Sequence, residues 1–350
     1  ASPEAPVELT KAGEVFAGGA PPPDVQPGTA VRIFTGARVP ESADAVVLQE
    51  HVTAEGDRVR FDRPAKPDQH IRHRASDLGA HRPMLQAGAR LSAGELGLLA
   101  SQRYASVDVH RRPRVALLCT GDELRDVGDP AEPGTIVNSN AYALRAQIEE
   151  AGGVPWVLPN VPDDPKATEA AVRSALSADV VVSVGGASVG EHDYVRTAFE
   201  AAGVTLDFWK VKMKPGKPLI FGTYGSVPIV GLPGNPVSAL VTFELFVRPG
   251  LRQMLGDRGP YRPRIRARLA RDHRHSPGRT ELARATLHRR DNKLEAAPLR
   301  LQGSGSLPSV VGFDALLVLP PDVEHFEAGT ELDAIAMNDR RSSAEPPVRD

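Results

Sequence analysis

The chain has 350 residues, enough for two or three domains that each bury a core. Hydrophobic residues make up 41% and charged residues 25%, ordinary globular composition that excludes a disordered or fibrous chain. Lys and Arg total 42 against 44 Asp and Glu, a formal charge of -2, so no global basic field argues for nucleic acid or an anionic membrane, and any anion site must be local. Residues 1–75 carry the β-type runs Val31-Arg-Ile-Phe34, Ala45-Val-Val-Leu48 and Val59-Arg-Phe61, divided by turn residues. They predict a small β domain. Residues 76–110 hold a cap-like Leu91-Ser-Ala-Gly-Glu95, an apolar-periodic helix to Ser101 and a short strand at Ser106 to Val109.

From residue 111 to 257 the pattern alternates: strand Arg114 to Cys119, helix Asn140 to Ala151, extended Val154 to Leu158, helix Lys166 to Leu176, strand Asp179 to Ser183. Strands follow at Asp207 to Met213, Pro218 to Gly222 and Val227 to Gly231, then a helix from Pro236 to about Leu255. This is the signature of an α/β domain with a parallel sheet and helices on both faces. Residues 258–338 revert to short strands, at Arg264 to Leu269, Leu282 to Leu287, Ala315 to Leu319 and Glu331 to Ala336, and 339–350 is a polar tail. The expected fold class is therefore multidomain α/β, a central parallel-sheet domain flanked by two β modules.

In open α/β sheets ligands bind beyond the carboxyl ends of the strands. Four such loops carry glycine, carboxylate or both: Thr120-Gly-Asp-Glu-Leu124, Pro162-Asp-Asp164, Gly185-Gly-Ala-Ser-Val-Gly-Glu-His-Asp193 and Gly231-Leu-Pro-Gly-Asn-Pro236. Gly185, Gly186, Ser188 and Gly190 let the backbone approach a phosphate closely, although a tight strand-to-helix turn would look the same. Asp122, Glu123, Asp163 and Asp193 are hard oxygen donors of the kind that hold Mg²⁺ beside phosphate oxygens; solvated surface is the plain alternative. In Lys210-Val-Lys-Met-Lys-Pro-Gly-Lys217 a period of two puts Lys210, Lys212 and Lys214 on one strand face, and a Pro-Gly turn brings Lys214 and Lys217 together, suited to an oxyanion. Edge-strand protection explains the first three lysines but not the turn.

His70, His73 and His81, like His273 and His275, lack a compact ligand spacing. Cys119, the sole cysteine, excludes an intramolecular disulfide, fits a reducing cytoplasm and reads as an inert core thiol. No stretch approaches the roughly 18 uninterrupted apolar residues of a membrane span, and no leader-like segment opens the chain, so a cytoplasmic protein without a membrane partner is expected.

Taken in order, Ile33-Phe-Thr-Gly-Ala37 with Ala43-Asp-Ala-Val-Val47, Thr120-Gly-Asp-Glu-Leu124, Asn138-Ser-Asn140, Gly185-Gly-Ala-Ser-Val-Gly190, Lys214-Pro-Gly-Lys-Pro218 and Gly231-Leu-Pro-Gly-Asn-Pro-Val-Ser-Ala239 resemble the molybdopterin molybdenumtransferases, the family that includes the C-terminal domain of gephyrin. The resemblance covers roughly residues 13 to 338. It implies a small β domain, a remnant of a helical dimerisation domain at 76–110, a molybdopterin-binding α/β domain and a C-terminal β barrel. It also implies a reaction: insertion of molybdate into adenylylated molybdopterin, with Mg²⁺-dependent hydrolysis and release of AMP.

By the same resemblance, Glu123, Asp163 and Asp193 would hold Mg²⁺ or orient water, with Thr35 reaching the site from the small β domain of a second subunit. Thr120, Gly121, Asp122, Gly185, Gly186, Ser188 and Gly190 would bind the substrate, and Gly234 and Asn235 would line the pterin. Lys214, Lys217, Pro218, Ser238, Arg279 and Ser304 would surround molybdate. The implied partners are a second copy of the chain, molybdopterin adenylyltransferase and molybdoenzymes. Three departures stand out. A family N-terminal stretch that builds part of the dimer interface has no counterpart, so a weakened dimer is expected; Val184 replaces a hydroxyl residue before Gly185; and Ala75 replaces a glycine. Two other readings stay open. One is a molybdopterin adenylyltransferase, against which residues 1–75 and 261–338 speak; the other is a gephyrin-like scaffold holding a partner peptide.

Overall fold

The computed structural model describes residues 1–186 and 194–337. The chain divides into two compact units, residues 1–84 and the chain from Leu85 onward. In the first, β1 (Val7–Val15), β2 (Thr29–Ile33), β3 (Val52–Glu55) and β4 (Arg58–Phe61) form one sheet in the order β2-β1-β4-β3. Ala45 to Leu48, expected as a strand, is irregular, and the Val46 N–H donates to Gln69 O instead of to a ladder. β1 and β3 are unexpected strands, the alternation of β1 diluted by Glu8, Lys11, Gly13 and Glu14. Phe16 and Phe34 stack with centroids 4.5 Å apart under the Arg32 guanidinium. Ala75 sits at φ +67, the left-handed region where a glycine would be free of strain.

The second unit begins with α1 (Ala93–Ser101). The Ser92 N–H and hydroxyl both donate to the Glu95 carboxylate, the expected capping box, and the hydroxyl bond foremost holds that carboxyl below its usual range. Ser106 to Val109 is not a strand: it is exposed and no neighbouring strand takes up its backbone groups.

The α/β part runs β5 (Arg114–Cys119), β6 (Leu124–Arg125), β7 (Ile136–Val137), α2 (Ser139–Glu150), β8 (Val154–Val157), α3 (Pro165–Ala175), β9 (Val180–Val184), α4 (Tyr194–Ala201), β10 (Thr205–Lys210), β11 (Met213–Lys214), β12 (Pro218–Tyr224), β13 (Val227–Leu232), α5 (Pro236–Thr242) and α6 (Arg248–Met254). Its sheet has the order β10-β12-β13-β9-β5-β8. The four strands β13, β9, β5 and β8 are parallel, as the βαβ pattern demands, and β12 and β10 add an antiparallel edge. Period-two alternation along β5 sends Val115, Leu117 and Cys119 into one core with α2, α5 and α6, and Ala116 and Leu118 into another with α3 and α4. Between α5 and α6 the helix widens into a π turn, Phe243–Val247, whose buried Glu244 pairs with Arg262 at 3.0 Å and Arg248 at 3.7 Å.

The remaining strands are β14 (Arg264–Leu269), β15 (His273–Arg274), β16 (Thr280–Arg290), β17 (Lys293–Pro298), β18 (Ala315–Leu319), β19 (His325–Phe326) and β20 (Glu331–Ala336). The order β16-β17-β14-β20-β18 closes on itself through a β16–β18 pairing, giving a five-stranded barrel around Ala267, Ala283, Leu317 and Ala334. β17 was not expected from its sequence; Asp291 and Asn292, at φ +47 and +62, make the tight turn that folds it back on β16.

The lysine run is not one strand. β10 ends at Lys210 and pairs with β12, whereas β11 leaves the α/β sheet and pairs with β16 of the barrel, Lys214 opposite Glu281. Lys210, Lys212 and Lys214 therefore do not share a strand face. The bend between them hands the chain from one sheet to the other.

Candidate functional site

At the carboxyl ends of β5 and β9 a cavity of about 690 Å³ opens between the α/β sheet and the barrel. Thr120 and Glu123 form one wall, Gly185 and Gly186 a second, Pro233 to Pro236 with Ser238 a third, the turn from Lys214 to Pro218 a fourth, and Arg279 with Gln302 to Ser304 close it from the barrel side. Local sequence explains each wall. Gly185 sits at φ +89, and a Cβ there would lie 2.7 Å from the Thr120 carbonyl oxygen, so the β9 loop can lie against the β5 loop only as glycine. Gly216, at φ +101 in the turn after the cis Lys214–Pro215 bond, lies against Thr242 Cγ2, which any Cβ would overlap. The Val211 N–H donates to Lys217 O at 3.0 Å and closes that turn.

α2 and α5 tie the loops together. Asn138 caps α2, its Oδ1 accepting the Ala141 N–H at 3.1 Å, and its Nδ2 donates to Asn160. Asn140 Nδ2 donates to Gly234 O at 2.8 Å, pinning the loop before α5. The N-cap of α5, Asn235, makes no side-chain cap; instead the Val237 N–H donates across to Ser304 O of the barrel at 3.0 Å.

Charge is unevenly distributed around the cavity. Lys214, Lys217 and Arg279 line it, and Glu123 is an exposed carboxylate on another wall. Behind Lys214, the Glu281 carboxylate is buried and accepts from the ammonium at 3.1 Å. Arg284 is fully buried; its Nη2 donates to Leu301 O and Gly303 O, while Nε and Nη1 have no partner, and burial lowers its pKa against the pull of Glu281. Burial likewise lowers the His273 pKa, Glu281 opposing it. Cys119 reaches the cavity floor as a buried thiol, its pKa raised by burial and partly offset by Asn138.

Of the residues singled out from the sequence, Thr120, Glu123, Gly185, Gly186, Gly234, Asn235, Lys214, Lys217, Pro218, Ser238, Arg279 and Ser304 all line this one cavity. Gly121, Asp122 and Asp163 do not line it; the Asp163 N–H donates to Asp122 Oδ1 at 3.0 Å, so Asp122 fixes the Asp163 loop. Ser188, Gly190 and Asp193 lie outside the described residues. Thr35 belongs to the first unit, exposed in the turn that follows β2. Sequence reasoning missed Gln302, Glu281 and Arg284, and gave no role to Asn138 and Asn140, although an Asn-Ser-Asn string at a helix start is a capping signal.

Three family models cover most of the chain: "MoeA N-terminal region (domain I and II)" at residues 2–102, "Probable molybdopterin binding domain" at 116–253 and "MoeA C-terminal region (domain IV)" at 266–337. A molybdopterin molybdenumtransferase of Nostoc is 38% identical over 94% of this chain and 77% of its own length. The chain belongs to the molybdopterin molybdenumtransferase family. Another member, molybdopterin molybdenumtransferase 2 of Mycobacterium tuberculosis, is 37% identical over 95% of this chain and 83% of its own. A molybdopterin biosynthesis MoeA protein from Pyrococcus horikoshii superposes with a TM-score of 0.79 at 30% identity, covering 96% of this chain and 83% of that one. The model that matches residues 116–253 describes a probable molybdopterin binding domain, and the strand ends of that segment form three walls of the cavity. Among the described residues no helix is long and apolar enough to cross a membrane.

Proposed function

We propose that this chain inserts molybdenum into molybdopterin, taking adenylylated molybdopterin and molybdate as substrates and releasing AMP with the finished cofactor. The observation that carries the reading is the convergence of Lys214, Lys217 and Arg279 with the hydroxyl residues Ser238 and Ser304 on one cavity. A tetrahedral dianion needs directed cationic and hydroxyl donors from several sides, and these come from both the α/β domain and the barrel. The glycine-built loops at Gly185 and Gly234 leave main chain, not side chains, facing the space where a flat pterin and its phosphates would lie. Holding both substrates in one cavity converts a two-body encounter into a positioned reaction.

Among the described residues no three carboxylate, imidazole or thiolate groups stand close enough to form a metal cage. Mg²⁺ brought in on a substrate phosphate needs only one or two protein carboxylates; Glu123 on the wall would be one, with Asp163 and Asp193 as its proposed companions. Bound there, the ion would neutralise charge on the pyrophosphate. Glu123 would also orient the water that attacks it. A homodimer, with Thr35 supplied across it, belongs to the same reading, as do an adenylyltransferase upstream and molybdoenzymes downstream.

The test is molybdate-dependent AMP release from adenylylated molybdopterin. Arg279→Ala is expected to raise the molybdate concentration needed for half-maximal release about tenfold, the loss of one charge-assisted contact, and to leave adenylylated-pterin binding nearly unchanged. Calorimetric titration of each ligand decides: equal loss for both would remove the barrel from the anion pocket, and AMP release indifferent to molybdate would remove the reaction.

A further inference from the structure

The ladder between β11 and β16 sets Lys214 directly opposite Glu281. Lys214 lines the cavity with its side chain 37% exposed, whereas the Glu281 side chain is 4% exposed and lies behind it, 3.1 Å from the ammonium. His275, at 1% exposure, closes the far side of that carboxylate, with Nδ1 3.5 Å from the same oxygen. Its Nε2 lies 2.6 Å from Val323 O. A carbonyl only accepts, so Nε2 carries the proton and the ring is fixed in one orientation, leaving Nδ1 without a hydrogen-bond partner. Lys214, His275, His273 and Arg284 thus surround a single buried carboxylate, the influence of which reaches the last two electrostatically.

An ammonium has three donors. With one directed back to Glu281, the others are free for the cavity, and a half-exposed lysine that would otherwise wander among rotamers is held in one. We infer that Glu281 is the positioning residue of the oxyanion pocket: it touches no substrate, but it aims the Lys214 ammonium at the bound oxyanion. The inference rests on the molybdenum-insertion reading, in which the oxyanion is molybdate.

The experiment is calorimetric titration of molybdate into the full chain and its variants at neutral pH. Glu281→Gln keeps an acceptor for Lys214 but removes the charge; it should weaken molybdate binding about tenfold at neutral pH. Glu281→Asp, which keeps the charge, should bind molybdate with an affinity between those of Glu281→Gln and the parent. If Glu281 acts through Lys214, the double variant Lys214→Met with Glu281→Gln should bind no worse than Lys214→Met alone. Urea unfolding of each variant shows whether the comparison is made on folded protein, and Glu281→Asp serves in place of a Glu281→Gln that fails to fold. Unchanged or tighter binding with Glu281→Gln, or additive losses in the double variant, would overturn the positioning role while the parent still binds molybdate. A parent chain that binds no molybdate would instead defeat the functional reading, and the inference with it.

Discussion

The α/β sheet and the barrel meet at one cavity and build their sides of it from different material. On the α/β side the wall is largely main chain, with Gly185 and Gly216 at positive φ where a Cβ would strike Thr120 or Thr242. On the barrel side the support is buried charge, Glu281 behind Lys214 and Arg284 beneath the Leu301 to Ser304 loop. A main-chain wall is most sensitive to added atoms, and a wall propped by buried charge is most sensitive to lost ones. The two kinds of damage can be separated by experiment.

The largest effect is expected on the α/β side. Gly216→Val forces a branched side chain into Thr242 at a φ that such residues avoid, and should lower stability by about 3 kcal/mol, read from urea midpoints. Its counterpart in the barrel loop, Gly303→Ala, adds a Cβ that would meet only Ser306 Cβ at 3.8 Å and should shift stability by less than about 0.5 kcal/mol. Equal effects would erase the contrast between the walls. Next comes Arg284→Met. It removes two charge-assisted bonds to Leu301 O and Gly303 O but also relieves a buried cation, so the net loss should be only about 1 kcal/mol. The local signature is sharper: amides of residues 301–306 should exchange faster while those of β9 stay protected.

Another small effect lies where β5 and β9 begin, at the end of the α/β sheet away from the cavity. Arg111 grips Asp179 with two bonds of 2.7 Å, and Asp179 also accepts the Arg114 N–H. The Arg111 bond foremost holds the Asp179 carboxyl below its usual range. A depressed folded-state pKa contributes stability above the unfolded value of about 3.9, and that stability is lost as pH falls through the lower folded value. Because Arg111 is largely exposed, Asp179→Asn should cost less than about 1 kcal/mol at neutral pH, and the difference from the parent should vanish in acid.

Much of this was legible from residue patterns, and the misses share a cause. β5, β9, β14, β18 and β20 announce themselves because each is a continuous or alternating apolar run. β1 and β17 do not: Thr10 and Lys11 break the alternation of β1, the Lys, Glu, Ala and Pro residues of β17 have little strand propensity, and the partner strand completes both. Ser106 to Val109 had the propensity and lacked the partner. The cavity walls could be read from glycine-rich strand ends and the Lys214–Lys217 turn. Glu281 and Arg284 could not: in Thr280–Arg290 a buried charge looks like any solvent-facing one, and only the β11–β16 register shows what it faces.

The Val237 N–H, capped by Ser304 O from another module, makes the first turn of α5 a latch between sheet and barrel. A helix capped by its own Asn or Ser keeps that cap whatever its neighbours do. Here, any excursion of the Ser304 loop that widens the cavity strips a helix-end donor of its acceptor and loosens the segment that carries Ser238. Displacing the Ser304 loop and loosening the first turn of α5 are therefore coupled through that one main-chain bond.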